Sequence, residues 1–183
     1  MATTEIVAMA LSTHTEYWLE VATAMPRDEF VSRHPGYFLL CLQESTAGTD
    51  DLETLSAELA TSVKRAAHSA FEVKWVRRRS DEPSSDERVS VGRGPSCDIQ
   101  LPHRSVSKVH AYLCVEGSSL SVVDVDSKNG TQINGRPIAP HLRQRLETGY
   151  RLQFGSVETM VFYSAVMHDL LKEIARRESP TRS

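Results

Sequence analysis

The 183-residue chain has the composition of an ordinary soluble domain, with 40% hydrophobic residues, 25% charged residues and a formal net charge of −3. No apolar run reaches the roughly 18 residues that a membrane span requires, and the first residues lack the basic and apolar segments of a signal peptide. We therefore predict a cytoplasmic protein with no membrane partner. Residues 1–70 carry 10 acidic and 4 basic side chains, whereas residues 71–163 carry 11 and 13. This small basic excess argues against bulk nucleic-acid binding and suits a small anionic ligand.

The first third of the chain has a mixed α/β pattern. Thr13-His14-Thr15-Glu16 has the S/T-x-x-E form of a capping box and precedes a short apolar helical face, and residues 27–33 predict a further turn of helix. Tyr37 to Leu42 is a continuous apolar run that is short enough to favour a buried strand. Leucine and alanine then recur at helical spacing over residues 50–68, which predicts an amphipathic helix.

From Phe71 the hydrophobic period changes to that of β-strands. Short apolar runs alternate with turn signals, among them Asn129-Gly130 and Asn134-Gly135, and indicate an antiparallel sandwich or barrel. The predicted strands are 71–79, 88–91, 99–101, 111–115, 120–125, 131–133, 151–154 and 159–163. Residues 164–178 return to a helical period, and a loose tail is expected after them.

These patterns predict three segments. Residues 1–70 form an N-terminal α/β extension packed on the sandwich, residues 71–163 form the sandwich domain, and residues 164–183 form a C-terminal helix with a loose tail. Strand 37–42, helix 50–68 and strand 71–79 are expected to make a short β-α-β unit. Because this unit includes the beginning of the sandwich segment, residues 1–70 are not expected to fold alone.

The sequence gives no sign of catalytic or metal chemistry. Three cysteines without a C-x-x-C spacing predict reduced, buried thiols, and the seven histidines show no pairs at helical or zinc-site spacing. The Gly92-Arg93-Gly94 segment lacks the GK[ST] sequence and the helix start of a phosphate-binding loop. Nothing resembles a nucleophile elbow or a kinase loop set. We therefore expect no metal, no cofactor and no enzymatic activity.

A set of short motifs stands in a fixed order along the strand-rich segment. The motifs are Val91-Gly92-Arg93, Cys97 to Leu101, Ser107 to Ala111, Ser127 to Thr131 followed by Ile133-Asn134-Gly135, and Leu152 to Gly155. No single motif is specific, but the ordered set resembles the forkhead-associated (FHA) domain over about residues 71–163. The resemblance implies a mainly β fold, an FHA-type antiparallel β-sandwich of two sheets, with a phosphothreonine-peptide site on the loops at one end. It also implies a bacterial protein whose partners are a phosphothreonine-containing protein or peptide and a Ser/Thr protein kinase.

Five residues of these motifs are candidates for direct contact with a phosphothreonine peptide, a ligand with a charge of about −1.5 to −2 and three strong acceptor oxygens. Arg93 can give bidentate charge-assisted hydrogen bonds, Ser107 can donate one hydroxyl bond, and Lys108 adds a point charge. Asn129 carries both a carbonyl and an amide, so it can bond the main chain of an extended peptide. Lys128 stands where many family members have a small hydroxyl residue, and it either assists by charge or faces solvent.

The resemblance assigns a supporting role to further motif residues. These are Gly92, His110, Gly130, Thr131, Asn134 and Gly135. His110 is expected to be structural rather than catalytic, and Gly130 and Gly135 are expected to adopt positive φ. Tyr150 replaces the Asp that is usual in the last turn, a departure that concerns local turn geometry.

The main alternative is an FHA fold that acts as a phospho-independent scaffold or oligomerisation domain. Members that do not bind phosphate tend to lose the arginine or the asparagine of the motif set. Both Arg93 and Asn129 are present here, which favours a phosphothreonine-peptide binding module in Ser/Thr kinase signalling.

Overall fold

The computed structural model describes residues 15–42, 71–79 and 88–178. The predicted helix over 50–68, the beginning of the predicted capping box and the predicted loose tail lie outside these residues. Within them the chain is mostly β, with two sheets and a C-terminal helix. The chain divides into two compact units, one made of Met1–Trp75 with Phe162–Ser183 and the other of Val76–Val161. The segment boundaries predicted at residues 70 and 163 stay predictions.

The first unit contains three described helices and two strands. Its helices are α1 Thr15–Ala24, α2 Arg27–Arg33 and α3 Ser164–Glu178, and its strands are β1 Tyr37–Leu42 and β2 Phe71–Trp75. The bounds of α2, β1 and α3 are those that the sequence predicts. Trp18 is the centre of the core, because its ring lies 5.1 Å from that of Phe38 and 6.2 Å from that of Phe30, both edge-on. All three side chains are buried.

Strand β2 differs from its prediction in length and in burial. It ends at Trp75 rather than at residue 79, and it pairs antiparallel with β1, with Phe38 opposite Trp75. A β-α-β unit joins two parallel strands. Because β1 and β2 are antiparallel, the predicted β-α-β unit is wrong in the direction of its strands. The alternation of buried and exposed residues that is typical of a half-solvated strand also fails here. Lys74 is buried, with its ammonium 2.6 Å from a carboxylate oxygen of Glu72.

The second unit holds the predicted sandwich strands from residue 88 onward in two sheets, whereas the predicted strand at 71–79 belongs to the first unit as β2. In chain order the strands are β3 Arg88–Gly92, β4 Ile99–Gln100, β5 Ala111–Glu116, β6 Ser119–Asp124, β7 Thr131–Ile133, β8 Arg136–Pro137, β9 Gln144–Leu146, β10 Arg151–Phe154 and β11 Val157–Tyr163, the last reaching into the first unit by its final two residues. One sheet has the order β4-β3-β5-β6-β9, and β8, β7, β10 and β11 are neighbours in the other. The short strands β8 and β9 were not predicted.

The sandwich is not antiparallel throughout. Strand β4 runs parallel to β3, with Val91 opposite Ile99, because the loop over 93–98 brings the chain back beside β3 in the same direction. The remaining pairs in this unit are antiparallel. The inward side chains of the two sheets meet in a buried core that includes Val91, Leu113, Val122, Leu152 and Phe154.

Candidate functional site

Three loops of the second unit are joined by hydrogen bonds at one end of the sandwich. They are the β3–β4 loop (93–98), the β4–β5 loop (101–110) and the β6–β7 loop (125–130). The Arg93 N–H donates to the Ser107 carbonyl at 2.8 Å, and the Gly94 N–H donates to the Lys108 carbonyl at 2.9 Å. The Lys128 N–H donates to the Ser107 hydroxyl oxygen at 3.0 Å. The structure thus brings together all five residues that the sequence nominates for ligand contact.

The Arg93 side chain is exposed, but its guanidinium is held at one nitrogen. Nε donates to the Val106 carbonyl at 3.2 Å. Among the described residues, no acceptor bonds the two terminal nitrogens, Nη1 and Nη2. Because the fork is anchored through Nε, these two nitrogens can offer parallel donors to an anion.

The Ser107 hydroxyl accepts one hydrogen bond within the protein, and its own hydrogen is unused. Its oxygen accepts the Lys128 N–H, while the Ser107 N–H donates to Nδ1 of His110 at 3.1 Å. A serine hydroxyl has one donor and two acceptor positions. The hydroxyl hydrogen therefore remains to be donated, and within the described part of the chain it has no acceptor.

Lys108 and Lys128 add charge beside these donors. Both side chains are exposed, and neither ammonium has an ion pair within the described ranges. The contact of Lys128 with the Ser107 hydroxyl is made by its main-chain N–H. This contact is compatible with a side chain that assists by charge and with one that faces solvent. Arg93 and the two lysines are three of the four Lys and Arg side chains on the joined loops, and Arg104 is the fourth.

Asn129 is attached to the neighbouring loop by its amide. Nδ2 donates to the Ser105 carbonyl at 2.7 Å, and the side chain is otherwise exposed. One of the donors that the sequence analysis assigned to the ligand is thus used inside the protein. The second hydrogen on Nδ2 and the whole of Oδ1 remain, so the side chain still offers one donor and one acceptor to an extended chain.

His110 is fully buried and connects two of the loops. Nδ1 accepts the Ser107 N–H, so Nε2 carries the proton and donates to the Gly130 carbonyl at 3.2 Å. Burial lowers the pKa of His110 below its ordinary value, against the opposing effects of the Gly130 carbonyl and of Asp124. The neutral ring serves as a bridge between the loop of Ser107 and the turn of Asn129.

Asp124 organises the β6–β7 loop and was not singled out by the sequence analysis. Its carboxylate accepts the Ser127 N–H at 2.8 Å, the Ser127 hydroxyl at 2.7 Å and the Thr131 hydroxyl at 2.5 Å. Burial raises the pKa of Asp124, but these hydrogen bonds outweigh burial and hold the pKa below its ordinary value. The sequence signal for this role is weak. It consists of an aspartate at the end of an apolar strand, three positions before a serine.

Glycine is required in these motifs for two different structural reasons. Gly130 and Gly135 have φ of +72° and +77°, as predicted from the Asn-Gly turns. Gly92 instead allows a close approach, because a Cβ there would lie 2.3 Å from the Lys108 carbonyl oxygen. Asn134 connects its turn to β10, since its Oδ1 accepts the Arg151 N–H at 2.8 Å.

The cysteines are buried and unpaired by disulfides, as predicted. Cys41, Cys97 and Cys114 are free thiols. Burial raises the pKa of Cys41 to about 12, so this thiol is not a nucleophile near neutral pH. Cys97 lies beneath the joined loops, where its Sγ donates to the Lys108 carbonyl at 3.1 Å.

The described residues contain neither a membrane-spanning helix nor a metal-binding cluster. No helix among them is long and apolar enough to cross a membrane. Residues 15–42, 71–79 and 88–178 also contain no group of three or more histidine, cysteine or acidic side chains that could hold a metal ion.

Comparison with known proteins places the joined loops inside a recognised domain. The FHA domain family model matches residues 89–155. The chain is 34% identical over 111 residues to the oxoglutarate dehydrogenase inhibitor of Corynebacterium efficiens, covering 61% of this chain and 68% of that protein. It is 29% identical over 147 residues to the glycogen accumulation regulator GarA of Mycolicibacterium smegmatis, covering 80% and 84%.

A third relative is similar over a shorter stretch. Protein FraH of Nostoc sp. is 42% identical over 57 residues, which are 31% of this chain and 20% of FraH. This match spans only a fifth of that relative's length. The family model and the Corynebacterium relative, which is matched over two thirds of its length, agree with the ordered motifs. The chain belongs to the family of FHA domain proteins.

Proposed function

We propose that this protein binds phosphothreonine-containing peptides or proteins through the joined loops and acts in Ser/Thr kinase signalling. The observation that carries the proposal is the set of unused donors on Arg93 and Ser107. A guanidinium fork anchored through Nε and a hydroxyl oriented by the Lys128 N–H are both free to donate. They lie on two loops that are bonded to each other by their main chains.

The chemistry of these groups favours a phosphate monoester over a carboxylate. Two arginine nitrogens and one hydroxyl match three acceptor oxygens, and a carboxylate has only two. The charges of Lys108 and Lys128 would stabilise a ligand that carries more than one negative charge. Asn129 would then bond the peptide main chain beside the phosphothreonine.

The relatives support a regulatory rather than catalytic role. Two of them are named as a regulator of glycogen accumulation and an inhibitor of oxoglutarate dehydrogenase. Neither name describes catalysis. We infer that this chain likewise regulates another protein by binding and is not itself an enzyme, and that a Ser/Thr kinase produces the phosphothreonine it recognises.

A peptide-library titration tests the proposal on the full chain. One library carries a fixed phosphothreonine with randomised flanking residues, and matched libraries carry threonine or phosphoserine at that position. We expect binding of the phosphothreonine library and none of the threonine library in a fluorescence-anisotropy titration. Phosphoserine should bind several-fold more weakly, since the family implies a small apolar pocket for the threonine methyl and one buried methyl is worth roughly 0.8 kcal/mol.

The same titration distinguishes the alternative function. A phospho-independent scaffold would bind the threonine and phosphothreonine libraries alike, or neither of them. Either result would refute phosphothreonine recognition. Equal affinity for phosphothreonine and phosphoserine would refute the methyl pocket alone.

A further inference from the structure

Asn129 depends on a contact that lies outside the FHA motifs. Its Nδ2 donates to the Ser105 carbonyl at 2.7 Å, so the position of the Ser105 peptide sets the position of the amide. An asparagine side chain can present its oxygen or its nitrogen to a ligand, depending on rotation about its last torsion. With Nδ2 committed to Ser105, Oδ1 is directed elsewhere, and within the described residues it accepts from no donor.

Ser105 is itself held by two side chains and one main-chain group. Its N–H donates to His103 Nδ1 at 3.2 Å, and its hydroxyl oxygen lies 2.8 Å from the same nitrogen. From the turn between β10 and β11, Ser156 donates its N–H to the Ser105 hydroxyl at 2.9 Å. The two serine hydroxyls are also 2.9 Å apart. The orientation of the Ser105 peptide is thus fixed from two sides.

The same β10–β11 turn also contacts the residue that follows Asn129. The Gly155 N–H donates to the Gly130 carbonyl at 3.0 Å. A Cβ at Gly155 would lie 2.5 Å from the Ser105 carbonyl oxygen, and its φ is +61°, so only glycine fits there without strain. One short turn therefore supports both the main chain next to Asn129 and the carbonyl that holds its side chain.

We propose that Ser105, supported by His103 and Ser156, is a positioning residue that fixes the Asn129 amide with Oδ1 free to accept from the main chain of the bound peptide. The proposal deepens the proposed function and rests on it for its ligand. It separates the site into two parts. Arg93, Ser107 and the lysines serve the phosphate, whereas the Ser105 group serves the peptide main chain through Asn129.

The separation predicts different effects on two ligands. In Ser105→Ala the carbonyl that holds Asn129 stays, but the hydroxyl that fixes its peptide is lost. We expect phosphothreonine-peptide affinity to fall about three- to tenfold, the range of one lost hydrogen bond. Affinity for phenyl phosphate, which has no peptide main chain, should not change. Ser96→Ala, at an exposed serine of the β3–β4 loop, is the matched control and should bind both ligands as the wild type does.

A double-mutant cycle distinguishes positioning from general destabilisation. If Ser105 acts through Asn129, Ser105→Ala should cost nothing further in an Asn129→Ala background. Full additivity of the two substitutions, or an equal loss for peptide and phenyl phosphate, would overturn the proposal.

NMR of the ligand-free protein tests the positioning role independently of phosphothreonine binding. In the free wild type, the Asn129 side-chain NH₂ should exchange with water slowly enough to give a sharp pair of NMR signals. Ser105→Ala should broaden that pair, and Ser96→Ala should not. Unchanged Asn129 signals in Ser105→Ala would refute the positioning role. The Asn129 signals could broaden in Ser105→Ala as expected while the wild type binds no phosphothreonine peptide. That result would support the positioning role and refute the proposed function.

Discussion

Replacement of Arg93 by alanine should abolish phosphopeptide binding while leaving the fold intact. The side chain is exposed, and its one hydrogen bond within the described part of the chain joins Nε to the Val106 carbonyl at 3.2 Å. The loss of one such exposed hydrogen bond lowers the free energy of unfolding by about 0.5–1.5 kcal/mol. Binding loses far more, because Nη1 and Nη2 are the donors left for the phosphate. Truncation of one partner of a hydrogen-bonded charge pair costs about 2–5 kcal/mol, or roughly 30- to 4,000-fold in Kd.

Isothermal titration with a phosphothreonine peptide measures this loss, and urea denaturation measures the stability of each variant. Arg93→Lys retains the positive charge but not the fork, so its affinity should lie between those of alanine and arginine. Arg145→Ala, at an exposed arginine of β9, is the charge-matched control and should bind normally. An Arg93→Ala protein that binds the peptide as tightly as the wild type would show that the phosphate lies elsewhere.

Three further predictions concern phosphopeptide binding, the pH dependence of stability and the folding of a shortened chain. Ser107→Ala should weaken phosphopeptide binding by about 1–3 kcal/mol, less than Arg93→Ala, in the same titration; a larger effect than that of Arg93→Ala would contradict the assigned roles. Urea midpoints should fall as the pH is lowered from 7.5 to 5, because burial lowers the pKa of His110 and the unfolded chain therefore takes up a proton first. Below pH 4 the stability should fall further as Asp124, whose pKa is also lowered, becomes protonated; a flat profile would contradict both. A fragment that begins at Phe71 lacks β1, the antiparallel partner of β2, and should aggregate or unfold; a soluble fragment with a cooperative thermal transition would contradict this.

Local patterns predicted the elements that have a strong period or sharp ends. Strand β1 has an apolar run bounded by turn residues, and α3 begins where the strand period ends, so both were predicted with their observed bounds. Strands β8 and β9 were missed because two or three residues, mostly exposed, carry no alternating pattern. The parallel pairing of β4 with β3 was missed because strand direction depends on the path of a loop, which the hydrophobic period does not encode.

The proposed contact residues could be nominated from the sequence because the ordered motifs resemble those of the FHA domain, and their side-chain chemistry suits the ligand that this resemblance implies. The groups that hold them could not, because several are main-chain atoms. The carbonyls of Ser105 and Val106 hold Asn129 and Arg93, yet a carbonyl has no residue-specific signature. The reason for glycine at position 92 was hidden in the same way, since the atom that excludes a side chain is the carbonyl oxygen of Lys108.

The polar network separates the residues that we propose contact the ligand from those that hold the loops. Arg93 and Asn129 are exposed, so their loss should cost affinity and little stability. His110 and Thr131 are fully buried, and their loss would leave buried partners unsatisfied at about 1–3 kcal/mol each. Because the His110 ring accepts from the loop of Ser107 and donates to the turn of Asn129, its removal disturbs both halves of the site at once. Loss of binding in a His110 variant would therefore indicate misplaced loops and not a lost ligand contact.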